Sequence, residues 1–140
     1  MANELLFGVQ TNGIRIAYYE MGQGMPVVLC HGFPELAFSW HRVMPLLADA
    51  GYRAIAVDQR GYGATDRPPG TEDYAITELA ADIAGLLDAL GIDRAVYAGH
   101  DWGAPVVWNS ALLQRDKVAG VIGVNNPYTP TIPGDPLELL

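Results

Sequence analysis

The sequence predicts an α/β fold: a mostly parallel sheet with helices on both faces, entered through an antiparallel N-terminal hairpin. Three observations carry this. Short runs that are apolar on successive residues recur at 27–30, 54–57, 95–98 and 118–124, each too brief for a helix and each patterned like a strand buried on both faces. Stretches with helical spacing separate them, and strand–helix alternation of this kind closes through right-handed crossovers. The opening "LLFGVQTNGIRIAYYEMG" instead alternates about Asn12-Gly13, a dipeptide suited to the positive φ angles of a tight hairpin.

In chain order, the hairpin comes first and the strand Val27 to Cys30 follows it. A helix is expected over 38–50, closed by Gly51, and then the strand Ala54 to Val57. The clearest helix is 77–90, with Ile76, Leu79, Ala80, Ile83, Leu86, Leu87 and Leu90 at three- and four-residue spacing and Gly91 as its stop. After the strand Ala95 to Ala98 a third helix is expected over 102–115, then the strand Val118 to Val124. The tail is proline-rich, and its "DPLELL" reads as an aspartate N-cap, Asp135, with a first-turn proline opening a further helix. Residues 1–127 form the core on this reading, and 128–140 begin a connection beyond it.

Composition narrows the partners. The chain has 140 residues, half of them apolar, and a formal net charge of -8. That is enough for one domain, or part of one, with a real core. The acidic balance and the scattered eight Lys and Arg residues disfavour nucleic acid and anionic lipid. Cys30 is the only cysteine, which excludes an internal disulfide and a cysteine metal cluster and suits a reducing compartment. "MANELLFGV" carries an acidic residue where a secretory signal has positive charge, and no apolar run approaches membrane-spanning length. A soluble cytoplasmic protein, binding neither nucleic acid nor membrane, is the expectation.

In open α/β sheets the ligand site lies beyond the carboxyl ends of the strands. Three loops meet that condition: "HGFPE" (His31 to Glu35), "DQRGYG" (Asp58 to Gly63) and "GHDWGA" (Gly99 to Ala104). "GYGATD" lacks the third glycine of a dinucleotide fingerprint and does not open a helix. Asp101 has two readings. It is a well-placed helix N-cap, or it is the apex of a sharp strand-to-helix turn that leaves no room for side chains two residues before and after it, at Gly99 and Gly103.

With these three loops in this order, the sequence from about Gly13 to Pro127 resembles the α/β-hydrolase fold and, within it, the epoxide hydrolases. The resemblance implies that Asp101 is the nucleophile. A carboxylate is already ionised near neutral pH and displaces a leaving group at saturated carbon, giving an alkyl ester of the enzyme. Water then attacks that ester, and the oxyanion needs two preplaced donors, by resemblance the backbone N–H groups of Phe33 and Trp102. The Phe33–Pro34 bond is cis in the family. The expected substrate is a small, apolar epoxide, its ring oxygen protonated by tyrosines of a cap domain; the resemblance implies no cofactor and no metal. Haloalkane and haloacid dehalogenases share the aspartate apex, but the former carry Asn or another polar residue where Phe33 stands, and fluoroacetate dehalogenases an arginine where Trp102 stands.

Around the nucleophile, His31, Gly32, Pro34, Gly99, His100 and Gly103 are expected to be structural. His31 braces the oxyanion loop, and His100 points away from its neighbour. Phe33 and Trp102 also wall the substrate cleft, with Glu35 at its rim and Tyr128 as an aromatic against the substrate. His41 is expected on the surface of a helix; Asp58 and Arg60, with Gly61 and Gly63, are expected to build a turn, a supporting role for Asp58 staying open. In this fold the acid and the base histidine follow the nucleophile. No histidine follows Asp101, and the later carboxylates are Asp116, Asp135, Glu138 and the C-terminus. The sequence therefore resembles an incomplete core, up to the edge of the cap. Two readings stay open: an epoxide hydrolase whose acid and base lie in sequence not shown, or a non-catalytic half-domain or fragment that associates through the exposed edge of its last strand. The 140 residues alone are not expected to turn epoxides over.

Overall fold

Asn12 and Gly13 both take positive φ, 50° and 76°, the mirror-image turn whose twist matches that of paired strands. They join β1 (Phe7–Thr11) to β2 (Ile14–Met21), with Thr11 opposite Ile14. The computed structural model describes residues 5–129. β2 runs antiparallel to β4 (Tyr52–Val57), and from there the sheet is parallel: β4 pairs with β3 (Met25–Cys30), β3 with β5 (Ala95–His100), and β5 with β6 (Val118–Val124). The order is β1-β2-β4-β3-β5-β6. After β3 the chain builds one neighbour on one side and the next on the other. The crevice at the carboxyl ends of β3 and β5 is therefore the topological switch point, where ligands bind in open α/β sheets.

Both faces of the central strands are covered. α2 (Ile76–Ala89) and α3 (Gly103–Leu113) pack on one face, where Ile83, Leu86, Val106 and Val107 meet Ile16, Val28, Val57 and Tyr97. α1 (Val43–Asp49) packs on the other, with Met44 against Val27, Leu29, Ala54, Ala56 and Ala98. Successive strand residues thus serve opposite cores, which is why these runs are apolar without alternation.

Three expectations are corrected. The helix expected over 38–50 is two pieces, a 3₁₀ turn at Ala37–Trp40 and then α1. Pro45 lacks the N–H that would bond the His41 carbonyl and its ring crowds that carbonyl, so it is tolerated in the first turn of α1 but keeps that helix from extending back through His41. His41 consequently ends the 3₁₀ turn, half-buried, with its ring stacked 4.5 Å from that of Phe38. The third helix stops at Leu113, and Arg115–Lys117 form a separate 3₁₀ turn. β6 is apolar on successive residues yet not buried on both faces: it is the edge strand, and Ile122 and Val124 are 52 % and 43 % exposed on the side away from α3. The helix expected from Asp135, with Glu138, and all but the first two residues of the connection 128–140 lie outside the described residues. Among the described residues no helix is long and apolar enough to cross a membrane.

Candidate active site

Cys30 of β3 lies opposite Gly99 of β5, so the two strands leave the sheet at the same level. β5 turns into α3 over two residues, and Asp101 sits at the turn with φ 53°, a left-handed conformation that few side chains adopt. The flanking glycines are required by close approach. A Cβ on Gly99 would collide with the carbonyl of Gly103, and one on Gly103 with the carbonyls of Cys30 and His31. Gly32 is required too, because a side chain there would strike Asp101 itself. The N-cap reading of Asp101 is overturned: Trp102 holds the cap position, no side chain caps the helix, and only the main-chain carbonyl of Asp101 serves α3, accepting the Ala104 N–H at 3.1 Å. Its own N–H donates to the Val124 carbonyl at 3.2 Å, and the Asn126 side chain donates to the Asp101 carbonyl at 3.3 Å.

The carboxylate is thereby free to face the crevice. The Phe33 N–H donates to Asp101 Oδ1 at 3.1 Å. This bond first, and the nearby Trp102 amide second, hold the Asp101 carboxyl below the usual aspartate range, which keeps it ionised. The Phe33–Pro34 bond is cis. Phe33 and Trp102, whose amides face the carboxylate, are themselves 59 % and 66 % exposed.

The loop carrying the Phe33 amide is held from below. His31 is fully buried. Its Nδ1–H donates to the Gly32 carbonyl at 2.8 Å, while its Nε2 accepts the main-chain N–H of Gln59 at 3.0 Å, which fixes the tautomer. Burial pushes the imidazole's pKa down against the opposing pull of the Gly32 carbonyl and of Asp58 and Glu35, so the ring stays neutral. Glu35 accepts the Gly32 N–H at 3.2 Å and lies 3.4 Å from His100 Nδ1. Desolvation opposes its ionisation, but the Gly32 amide and His100 outweigh it and hold the Glu35 carboxyl below its ordinary value. Glu35 and His100 also share the wall of a cleft of about 270 Å³ with Trp40 and Val43.

The "DQRGYG" loop does more than turn. Asp58 accepts the amides of Ala37 at 2.9 Å and Ala64 at 3.0 Å, tying two loops to the end of β4. Arg60, expected as a turn-builder, is instead a buried cation. It makes a forked pair with Asp82 of α2 at 2.9 and 2.8 Å and donates to the Asp73 carbonyl at 2.9 Å. Asn12 of the hairpin turn closes on the same carboxylate at 2.8 Å. Sequence reasoning missed Gln59, Asp82 and Asn126. A signal existed for Asp82, which sits within the apolar stripe of Leu79, Ile83 and Leu86; Gln59 and Asn126 had none. Trp102 continues into a cleft of about 330 Å³ bounded by Gln59, Tyr62, Tyr74, Leu79 and Val106. Tyr128 is not brought to this cluster: its ring lies edge-on to Trp108 of α3 at 5.8 Å. Among the described residues no group of His, Cys, Asp and Glu is placed to hold a metal ion.

A family model described as the alpha/beta hydrolase fold matches residues 25–139. The chain is 56 % identical over 124 residues to Epoxide hydrolase A of Mycobacterium tuberculosis, a match covering 87 % of this chain and 38 % of that protein. It is 45 % identical over 129 residues to Bifunctional epoxide hydrolase 2 of Sus scrofa, covering 91 % of this chain and 23 % of the relative. The crystal structure of Epoxide Hydrolase A from Mycobacterium thermoresistibile superposes with a TM-score of 0.92 at 49 % identity, covering 98 % of this chain and 44 % of the other. The chain thus spans less than half of the length of each of these relatives.

Proposed function

The chain belongs to the α/β-hydrolase fold family, and from that premise we propose that it carries the nucleophile half of an epoxide hydrolase, with Asp101 as the residue that is alkylated. The observation that carries the reading is the ionised carboxylate of Asp101 at the apex of a left-handed elbow, with Oδ1 bonded to the Phe33 amide and the Trp102 amide close by. In the first step the second carboxylate oxygen attacks one ring carbon of the epoxide. An ester C–O bond forms, a ring C–O bond breaks, and the ring oxygen takes up a proton. In the second step water adds to the ester carbonyl, the oxyanion forms on the oxygen that already faces Phe33 and Trp102, and the diol leaves as the carboxylate is restored. Preplaced donors cost no reorganisation when the charge develops, and removing one such donor typically costs about 10²- to 10³-fold in rate.

No histidine follows Asp101 in these residues. Activation of the hydrolytic water and protonation of the ring oxygen are accordingly assigned to the parts of such enzymes that these residues do not cover. General-base help of that kind is worth about 10²- to 10⁴-fold. The chain as given is expected to alkylate itself at Asp101 and stop. We also propose that such a chain associates with further copies through β6, whose outer edge pairs with no other strand among the described residues and carries no charge.

The test is mass spectrometry after incubation with an aryl epoxide in heavy-oxygen water. The peptide containing Asp101 is expected to gain the mass of one epoxide or, where the ester is hydrolysed, to carry one heavy oxygen in place of an ordinary carboxylate oxygen. Asp101→Asn is expected to show neither. An adduct on any other residue, with the Asp101 peptide unchanged, overturns the reading.

A further inference from the structure

A trans peptide points its C=O and N–H in opposite directions, so whatever grips the Gly32 carbonyl also aims the Phe33 amide. Two donors grip it, His31 Nδ1–H at 2.8 Å and the Glu35 N–H at 3.1 Å. The aim therefore depends on how His31 is held, and one residue holds it twice. The Gln59 main-chain N–H donates to His31 Nε2 at 3.0 Å, and the Gln59 side-chain amide donates to the His31 carbonyl at 2.6 Å. Gln59 is itself buried, 8 % exposed, on the loop that the Arg60–Asp82 pair anchors to α2. The Tyr62 ring stands edge-on to the imidazole at 4.9 Å and blocks rotation on that side.

We propose that Gln59 is a positioning residue for the proposed reaction: its carboxamide fixes the His31–Gly32 peptide, and with it the plane of the next peptide, whose N–H points at Asp101. This rests on the reading of Phe33 and Asp101 given above. The chemistry asks for glutamine. The His31 carbonyl is buried and needs a neutral donor at the end of a side chain that reaches across from β4. An apolar residue of the same length leaves that carbonyl unsatisfied, and a glutamate sets an anionic oxygen against it. The main-chain bond to Nε2 survives either substitution, so the side chain's own contribution is separable.

The experiment is an NMR titration of the isotopically labelled chain, following the Asp101 carboxyl carbon and the Phe33 amide proton. In the unmodified chain Asp101 is expected to titrate below the ordinary aspartate value. Gln59→Met is expected to raise the Asp101 pKa and move the Phe33 amide proton upfield, and Gln59→Glu, above its own ionisation, to do both more strongly. A glutamine that served stability alone would lower the thermal midpoint and leave both signals in place. Folded variants with unchanged Asp101 pKa and Phe33 shift overturn the proposal. Where neither variant folds, the unmodified chain decides: His31 ring nitrogens showing the Nδ1–H tautomer, with one slowly exchanging Gln59 carboxamide proton, are expected, and the Nε2–H tautomer or a freely exchanging carboxamide overturns it. Failure of any epoxide to alkylate Asp101 removes the proposed reaction and leaves this coupling measurable, whereas alkylation without the coupling removes only the role of Gln59.

Discussion

Single residues at the elbow are constrained by space and by charge, and the two constraints respond to different perturbations. Gly103→Ala drives a methyl into the main chain of β3, and overpacking of that kind costs about 1–3 kcal/mol. Gly120→Ala, at an open position on β6 with nothing nearby, is expected to cost none, and urea denaturation of the two variants checks the contrast. His31 answers to pH. Its folded-state pKa lies below the unfolded value near 6.5, so the unfolded chain binds the proton first. The stability it contributes is fully present above about pH 6.5 and is lost as pH falls from there through the folded value, where the Gln59 N–H bond to Nε2 breaks. Calorimetry is expected to show the thermal midpoint falling over that window in the unmodified chain and less steeply in His31→Gln. Equal slopes would remove His31 as the source of the change. Asp101, Gly99 and Gly103 were legible because an elbow is a local geometry written in consecutive residues. Gln59 was not, since the need for a donor there arises only when β3 and β4 lie together.

Among the elements, α2 does more than cover the sheet. Through Asp82 it holds Arg60, and through Arg60 the loop that carries Gln59. Both charges are buried, and removing one partner of such a pair costs about 3–5 kcal/mol because the other is left uncompensated. Asp82→Ala is therefore expected to lose stability on that scale, while Arg60→Met with Asp82→Leu is expected to lose far less. A double-mutant cycle in urea measures the difference; a double variant as weak as the single one would argue against it. The parallel strands and α2 stand within two residues of where the sequence put them, because their signals are periodic and local. The helix over 38–50 failed on one residue, Pro45, whose effect falls four residues upstream. β6 failed for a different reason: an apolar run reports what a strand is made of, and its neighbours decide how much of it is buried.

At the scale of the whole sheet, β6 is an open edge among the described residues. A seven-residue strand without charge or proline, with Ile122 and Val124 exposed, lacks the devices by which edge strands avoid pairing with one another. Sedimentation of the chain is expected to show association that Ile122→Lys reduces, and a monomer at every concentration in the unmodified chain would refute the proposed contact. The fold class was readable from the alternation of elements, and the order of strands was not, since no local signal says that β5 returns to lie beside β3. That return has a consequence in time. Phe33 and Asp101 meet across 68 residues of chain, and closing a segment of that length must precede any reward from the contact. The hairpin at Asn12-Gly13 can form within about 1–10 μs on its own. Asp101 gains the Phe33 donor only once β5 has docked beside β3, so on the reading proposed above its reactivity toward an epoxide is a clock for that docking: a chain alkylated there has already brought together two strands that the sequence holds far apart.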